Sequence, residues 1–259
     1  MGEGCGQAGM KTTVVTICWN AERTLARCVR SLLGQTCRPE EHLVVDGGST
    51  DGTLAVLAGL EQEYAVAGVA LRVLNQERRP GEAGIPSAWN QGLANARGDL
   101  IALLNSDDWY EPTALEQVQA AFAQAPAPGP AMVVAPVNLV RPGGETARTL
   151  YPKCLWLAEV LMPLPHPGCF VRREVYFSQV GLFDCRYRIS ADYDFVWRCR
   201  KARVAMAYLA KPLVNMEMGG LANRSRRLAR RETLAIACRH SRCPAPALAA
   251  WAVRTLAGI

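Results

Sequence analysis

The apolar positions of the first hundred residues alternate between two periods. Thr13 to Cys18 is a β-branched, apolar run of the kind that forms a strand buried on both faces. Leu25, Cys28, Val29, Leu32 and Leu33 then recur at i, i+3, i+4, i+7 and i+8, the single apolar face of a helix. The alternation predicts a strand over Leu43–Val45, a helix over Thr53–Leu60, a strand over Leu71–Leu74, a helix over Ser87–Ala96 and a strand over Leu100–Leu104. Repeated strand–helix units of this kind build an α/β fold with a mostly parallel sheet and helices on its faces.

The second half is less regular. Pro112 to Gln124 reads as a helix closed by the Pro/Ala/Gly run from Ala125 to Pro130, and Met132 to Val140 as one strand turning at Pro142-Gly143-Gly144. A strand over Cys169–Val171 and a helix from Arg173 follow. Past Pro244 and Pro246, the residues Leu248, Trp251, Ala252, Thr255, Leu256 and Ile259 form an apolar helical stripe. There is no internal repeat and no linker.

In a parallel α/β sheet, ligands bind beyond the carboxyl ends of the strands. Three polar clusters fall there: Trp19-Asn20-Ala21-Glu22, Asp46 through Gly52, and Asn105-Ser106-Asp107-Asp108.

Composition supports one large domain with an ample core: 259 residues, 50% hydrophobic and 20% charged. This excludes a disordered chain or a small disulfide scaffold. No run reaches the roughly 18 apolar residues of a membrane span. Met1 to Lys11 lacks the basic and apolar regions of a signal peptide, so a cytoplasmic location is expected. The ten Cys are scattered without a C-x-x-C pair, which reads as core residues in a reducing compartment and not as a zinc site. The net charge of +6 is unevenly placed: residues 1–222 carry a net of −1, whereas residues 223–259 hold eight Arg and the single acid Glu232. The basic balance is therefore no sign of a nucleic-acid-binding domain. The chain divides into a flexible start over 1–10, a main domain over 11–222 and an Arg-rich helical tail over 223–259.

Each cluster has a plain reading beside a chemical one. Asp107 and Asp108 after a buried strand suit a turn or helix cap, and equally a divalent-cation site, because Mg²⁺ binds through one or two carboxylates plus substrate phosphates. Ser49 and Asp51 suit capping of the next helix, which leaves Asp46 freer to accept from a base or ribose while Gly47 and Gly48 admit a flat ring. The chain has no G-x-G-x-x-G after its first strand, no G-x-x-x-x-G-K-[ST] and no H-E-x-x-H. What remains is a nucleotide site that neutralises a diphosphate with a metal.

In order and spacing, Val14–Asn20 with Glu22, Leu43–Thr53, Ala96–Asp108 and the later Phe183-Asp184 and Arg188–Phe195 resemble family 2 glycosyltransferases of the branch that builds bacterial surface polysaccharides. The resemblance covers about residues 11 to 222. It implies the GT-A fold, a Rossmann-like three-layer sandwich of nucleotide-diphospho-sugar transferases. It implies an inverting transfer from a nucleotide-sugar donor, UDP-linked in the usual case, to a growing surface glycan, with a polyprenyl-diphosphate-linked glycan as one form of that acceptor. By position, Cys18, Trp19, Asn20, Glu22 and Asp46 would line the base and ribose pocket, and Asn90, Arg97 and Ser106 would serve the rest of the nucleotide. Asp107, with Asp108 beside it, would hold Mn²⁺ or Mg²⁺. Asp192 would be the general base, although a place at a helix start is expected to keep its pKa low. His166, Gly219 and Gly220 resemble the acceptor- and donor-sugar loops.

The chain departs from the family pattern at Gly47, Ser87, Gln91 and Asn105, which stand where an acid, Asp, Lys and Asp are usual. Arg97 or a tail arginine is the candidate replacement for the missing positive charge. Arg224, Arg226, Arg227, Arg230 and Arg231, followed by the apolar stripe, suit either packing on the domain or peripheral contact with anionic headgroups on the inner face of a membrane. A sugar nucleotidyltransferase and a catalytically silent nucleotide-sugar-binding protein stand as alternatives.

Overall fold

The computed structural model describes residues 9–77, 84–219 and 225–256. Its strand β1 (Thr12–Cys18), helix α1 (Leu25–Leu33), strand β2 (Glu41–Asp46) and helices α2 (Thr53–Gly59) and α3 (Glu61–Ala67) follow the expected alternation. So do β3 (Ala70–Asn75), α4 (Ile85–Asn95) and β4 (Leu100–Leu103). The helix expected over Thr53–Leu60 continues past a break at Leu60 into α3, which closes at Gly68 in the left-handed conformation, φ 69°. The short β5 (Trp109–Tyr110) precedes α5 (Ala114–Gln124).

The single strand expected over Met132–Val140 is two. β6 (Met132–Val134) and β7 (Val137–Val140) belong to different sheets. Pro136 separates them: it has no N–H for a ladder, and the chain changes sheets where that donor is missing. β8 (Thr146–Leu150) and β9 (Cys169–Arg172) follow. The helix expected from Arg173 starts there and runs on as a π-turn over Val175–Gln179. Helix α6 (Ala191–Lys201), strands β10 (Met206–Tyr208) and β11 (Val214–Glu217), and helices α7 (Arg226–His240) and α8 (Ala245–Leu256) complete the chain.

The main sheet has the order β10-β6-β9-β4-β1-β2-β3, and within it β9 runs against its neighbours β4 and β6. A second sheet, β5-β11-β7-β8, sits beside the end of β4. Alternate residues of the central strands feed opposite faces. Val15, Leu43 and Ile101 pack with Trp89 and Leu93 of α4 and Phe195 of α6, whereas Val14, Leu100 and Ala102 pack with α1 and α5. The result is three layers, helix on sheet on helix. Each such fully buried aliphatic contributes about 1.5–3 kcal/mol. Gly92 lets α4 lie against β1, since a Cβ there would fall 2.3 Å from Val15 Cγ1.

The tail is docked. Ile236 of α7 is fully buried with Tyr193 and Trp197 of α6, and α8 packs back on α7 through Ala247. Leu248 and Val253 of α8 stay exposed.

Candidate active site

Strand register brings the polar clusters together. Cys18 lies opposite Asp46, and Val15 opposite Leu103, so β1, β2 and β4 end side by side. Because β9 is antiparallel to β4, the His166-Pro167-Gly168 turn before it reaches the same edge.

The loops after β1 and β2 are laced to each other. Asn20, at φ 51°, accepts the N–H of Thr50 on Oδ1 at 2.8 Å and donates its own N–H to Ser49 Oγ at 2.9 Å. Glu22 Oε2 accepts from the Gly52 N–H at 2.9 Å. Trp19 is left 68% exposed beside this double loop, an open aromatic face at the strand edge. Asp46 is not the free acceptor expected: it is 1% exposed, and its Oδ2 accepts from the N–H groups of Gly48 and Ser49 at 3.0 and 2.9 Å. Its Oδ1 accepts from Ser49 Oγ and from the Cys18 thiol. Asp46 therefore builds the turn. Cys18 is buried, and burial with Asp46 alongside pushes its thiol up to about 12, which makes it a packing group.

At the end of β4, Asn105 Nδ2 donates to Asp108 Oδ2 at 3.2 Å. Asp108 is 1% exposed, and its Oδ1 is buried with no hydrogen-bond partner. Burial, then the neighbouring Asp107, raises the Asp108 carboxyl well above the usual range; burial raises Asp107 as well. Ser106 completes the turn, half-buried. Three residues that the sequence analysis does not single out enclose this pair. Arg27 of α1 donates to the Asp107 main-chain oxygen at 2.9 Å, forms an ion pair with Glu217 at the end of β11, and lies over the Trp109 ring. No periodicity or motif marks them; Trp109 is marked by adjacency to Asp108 alone.

The donor set suits a divalent ion. Among the described residues no group of three or more His, Cys, Asp or Glu converges as a metal site. Two adjacent carboxylates with one orphaned, buried oxygen nevertheless match the sparse protein coordination of Mg²⁺ or Mn²⁺, whose remaining positions are filled by water and phosphate.

Asp192 lies in the first turn of α6, where Ser190 occupies the N-cap position. It accepts the Tyr193 N–H at 2.8 Å. Contrary to the expectation from the helix dipole, its carboxyl is pushed up to about 6, because burial outweighs the two backbone hydrogen bonds and Glu232 adds repulsion.

Three expected residues have other duties. Arg97 is at the wrong edge of the sheet: its N–H donates to Glu41, the first residue of β2, at 3.0 Å. Asp46 lies five residues further along that strand, about 17 Å away, so Arg97 is no diphosphate ligand. Asn90 spends its amide on the Phe183 backbone, with Nδ2 donating to the carbonyl at 2.8 Å and Oδ1 accepting the N–H at 2.9 Å, which ties α4 to the Phe183-Asp184 segment. His166 is buried among aromatics, 4.8 Å from Trp89 and 5.6 Å from Phe183, and burial pulls it down to about 4. Gly219, at φ 110°, turns the chain just past Glu217. Gly220 and Arg224 lie outside the described residues, as does the side chain of Arg226; Arg227 and Arg231 are exposed on α7.

The sequence profile of glycosyl transferase family 2 matches residues 13–179. The chain belongs to glycosyl transferase family 2. A PGL/p-HBAD biosynthesis glycosyltransferase of Mycobacterium bovis is 30% identical over 212 residues, 79% of this chain and 76% of the relative. An uncharacterized glycosyltransferase of Nostoc sp. is 29% identical over 71% of the chain, which spans only 57% of that relative's length. Among solved structures, Staphylococcus aureus TarS 1–349 in complex with UDP superposes with a TM-score of 0.67 at 19% identity, covering 89% of this chain and 65% of TarS 1–349. The mannosyltransferase PcManGT of Pyrobaculum calidifontis, in complex with GDP-Man and Mn²⁺, superposes with a TM-score of 0.66 at 16% identity, covering 93% of this chain and 67% of that one. The family 2 chain thus has the expected GT-A architecture, and the profile ends before Asp192.

Proposed function

We propose that this family 2 chain is an inverting glycosyltransferase that moves a sugar from a UDP-linked donor to a surface glycan. The observation that carries the reading is the pair Asp107 and Asp108 at the end of β4, one with an unpartnered buried oxygen, together with Asp192, whose pKa is raised and which acts electrostatically on Cys169, the first residue of the antiparallel β9. Mn²⁺ or Mg²⁺ held by that pair would stabilise the charge of the departing nucleoside diphosphate as a Lewis acid.

Trp19 offers its exposed face to the base, and the Asn20–Ser49 lacing holds that wall in place. Asp192, ionised above about pH 6, accepts the proton of the acceptor hydroxyl as the new bond to the anomeric carbon forms and the bond to the diphosphate breaks. A single displacement of this kind inverts the anomeric centre. Relatives named for PGL/p-HBAD biosynthesis and a neighbour that binds UDP support the acceptor class and the nucleotide. Exposed Leu248 and Val253 on α8, next to the Arg-rich α7, support a peripheral approach to a lipid-linked acceptor at the cytoplasmic membrane face. No helix among the described residues is long and apolar enough to cross a membrane.

The test is calorimetric titration of UDP with and without Mn²⁺, followed by a hydrolysis screen of nucleotide sugars and transfer assays of Asp107→Ala and Asp192→Asn. Metal-dependent UDP binding lost in the first variant, and transfer lost at intact UDP binding in the second, are expected. Wild-type transfer by Asp192→Asn would remove the base assignment.

A further inference from the structure

The tail's lone acid is turned inward. Glu232 of α7 is 8% exposed, and its Oε1 accepts the backbone N–H of Arg188 at 2.8 Å. Its Oε2 accepts those of Ile189 at 2.9 Å and Ser190 at 2.8 Å. Three consecutive N–H groups aimed at one carboxylate form an anion-binding concavity, and this one stands at the positive end of α6. The same loop is held a second time, by Ser190 Oγ donating to the Ala229 carbonyl at 3.3 Å, and α7 is anchored behind it by buried Ile236. Asp192 follows Ser190 by two residues and bonds to the N–H groups of Tyr193 and of itself.

We propose that Glu232 is a positioning residue for Asp192: by binding the three N–H groups that precede α6, it fixes the loop that brings Asp192 to the strand edge and occupies the helix N-terminus in its place. The proposal rests on Asp192 being the general base. Glu232 lies beyond the part of the chain that the family profile matches, so the tail completes a site whose nucleotide half belongs to the matched region.

Two consequences follow from the charge. An anion bound to those N–H groups removes donors that would otherwise lower the Asp192 pKa, and its repulsion raises that pKa further. Among the described residues, the other acidic groups nearby are paired or neutral. Asp194 is paired with Arg198 and His240, Asp184 with Arg186 and Arg239, and the facing Cys169 thiol is kept protonated by burial. Among the described residues, Glu232 is thus the unbalanced charge that acts on Asp192.

The decisive experiment is a ¹³C carboxyl titration of Asp192 by NMR in the full chain and in Glu232→Gln, which keeps the shape and an acceptor oxygen but loses the charge. The Asp192 midpoint is expected to fall by about one pH unit. The acid limb of donor hydrolysis should move down by the same amount, kcat should drop several-fold, and Mn²⁺-dependent UDP affinity should be unchanged. Glu232→Asp, which restores the charge, should return the midpoint. A midpoint that stays near 6 in Glu232→Gln overturns the proposal. If Glu232→Gln does not fold, Glu232→Ala, which also removes the charge, decides: an Asp192 midpoint well below 6 supports the proposal and one that stays near 6 overturns it. A shifted midpoint combined with undiminished transfer by Asp192→Asn would leave Glu232 as the residue that sets Asp192 and remove only the base reading.

Discussion

The guanidinium of Arg27 lies 3.8 Å from the ring centroid of Trp109 while it donates to the main-chain oxygen of Asp107 and pairs with Glu217. One cation from α1 thus closes the side of the carboxylate pair and holds a third acid, Glu217, in check.

Removing it separates two effects. Arg27→Ala frees Glu217 beside Asp107, so Mn²⁺ should bind more tightly. The site also loses a cation that a diphosphate would meet, so UDP affinity at saturating Mn²⁺ should fall about three- to tenfold, or roughly 1 kcal/mol. Lysine is not a substitute, because the stacked, forked geometry needs a planar guanidinium. Titrations of Mn²⁺ and then UDP check both signs, and unchanged UDP affinity in Arg27→Ala would leave the arginine a purely structural clamp.

The strain at the carboxylate pair makes a stability prediction of unusual sign. Asp107 raises the Asp108 pKa, so in the metal-free chain the half-buried Asp107 carboxylate repels the buried Asp108. Asp107→Ala should stabilise that chain by about 1 kcal/mol while abolishing Mn²⁺-dependent UDP binding. Asp108→Ala removes the same repulsion but leaves Asn105 Nδ2 without its acceptor, which costs about 1–3 kcal/mol. Thermal unfolding in a chelator, compared with calorimetry in Mn²⁺, reads both; a destabilised Asp107→Ala would contradict the repulsion.

How much of this was legible depends on the range of the interaction. The strand–helix alternation up to β4 follows from periodicity, and the edge that gathers Asp46 and Asp107 follows from that alternation. Asp46 reads as a free acceptor in the sequence because its partners, the N–H groups of Gly48 and Ser49, belong to a tight turn whose geometry composition does not encode. Arg97 precedes β4 and therefore lies at the amino edge of the sheet, a matter of strand direction and not of motif. Arg27 and Glu217 are 190 residues apart, and Glu232 lies 42 residues past Ser190. No local pattern links such pairs. The strand break at Pro136 was legible in principle, since Pro cannot serve a central ladder.

A packing glycine offers a test of the fold beneath the site. A Cβ on Gly168 would lie 2.2 Å from the Ala135 carbonyl oxygen, in the place where the Ala135 N–H donates to the Gly168 carbonyl at 2.9 Å. Gly168→Ala must push β6 and β9 apart and should cost about 3 kcal/mol. Denaturant unfolding checks it; a cost below about 1 kcal/mol would mean that the turn gives way freely.

Acid sensitivity should come in part from His42. It is fully buried on β2, bonded to Thr16 Oγ1 at 2.9 Å and to the Tyr64 hydroxyl, and burial pulls its pKa down to about 3. In the unfolded chain it takes up a proton at about pH 6.5. Between those values the unfolded state binds one more proton, so this residue costs about 1.4 kcal/mol of stability per pH unit as pH falls below 6.5. His166, held down to about 4 by burial, acts with the same sign over a shorter window. His42→Gln cannot titrate, and it loses part of the bonding to Thr16 and Tyr64. Its stability deficit against the wild type, measured in urea, should therefore be about 2 kcal/mol smaller at pH 5 than at pH 7. A deficit that is the same at both pH values would mean that His42 is protonated in the folded chain.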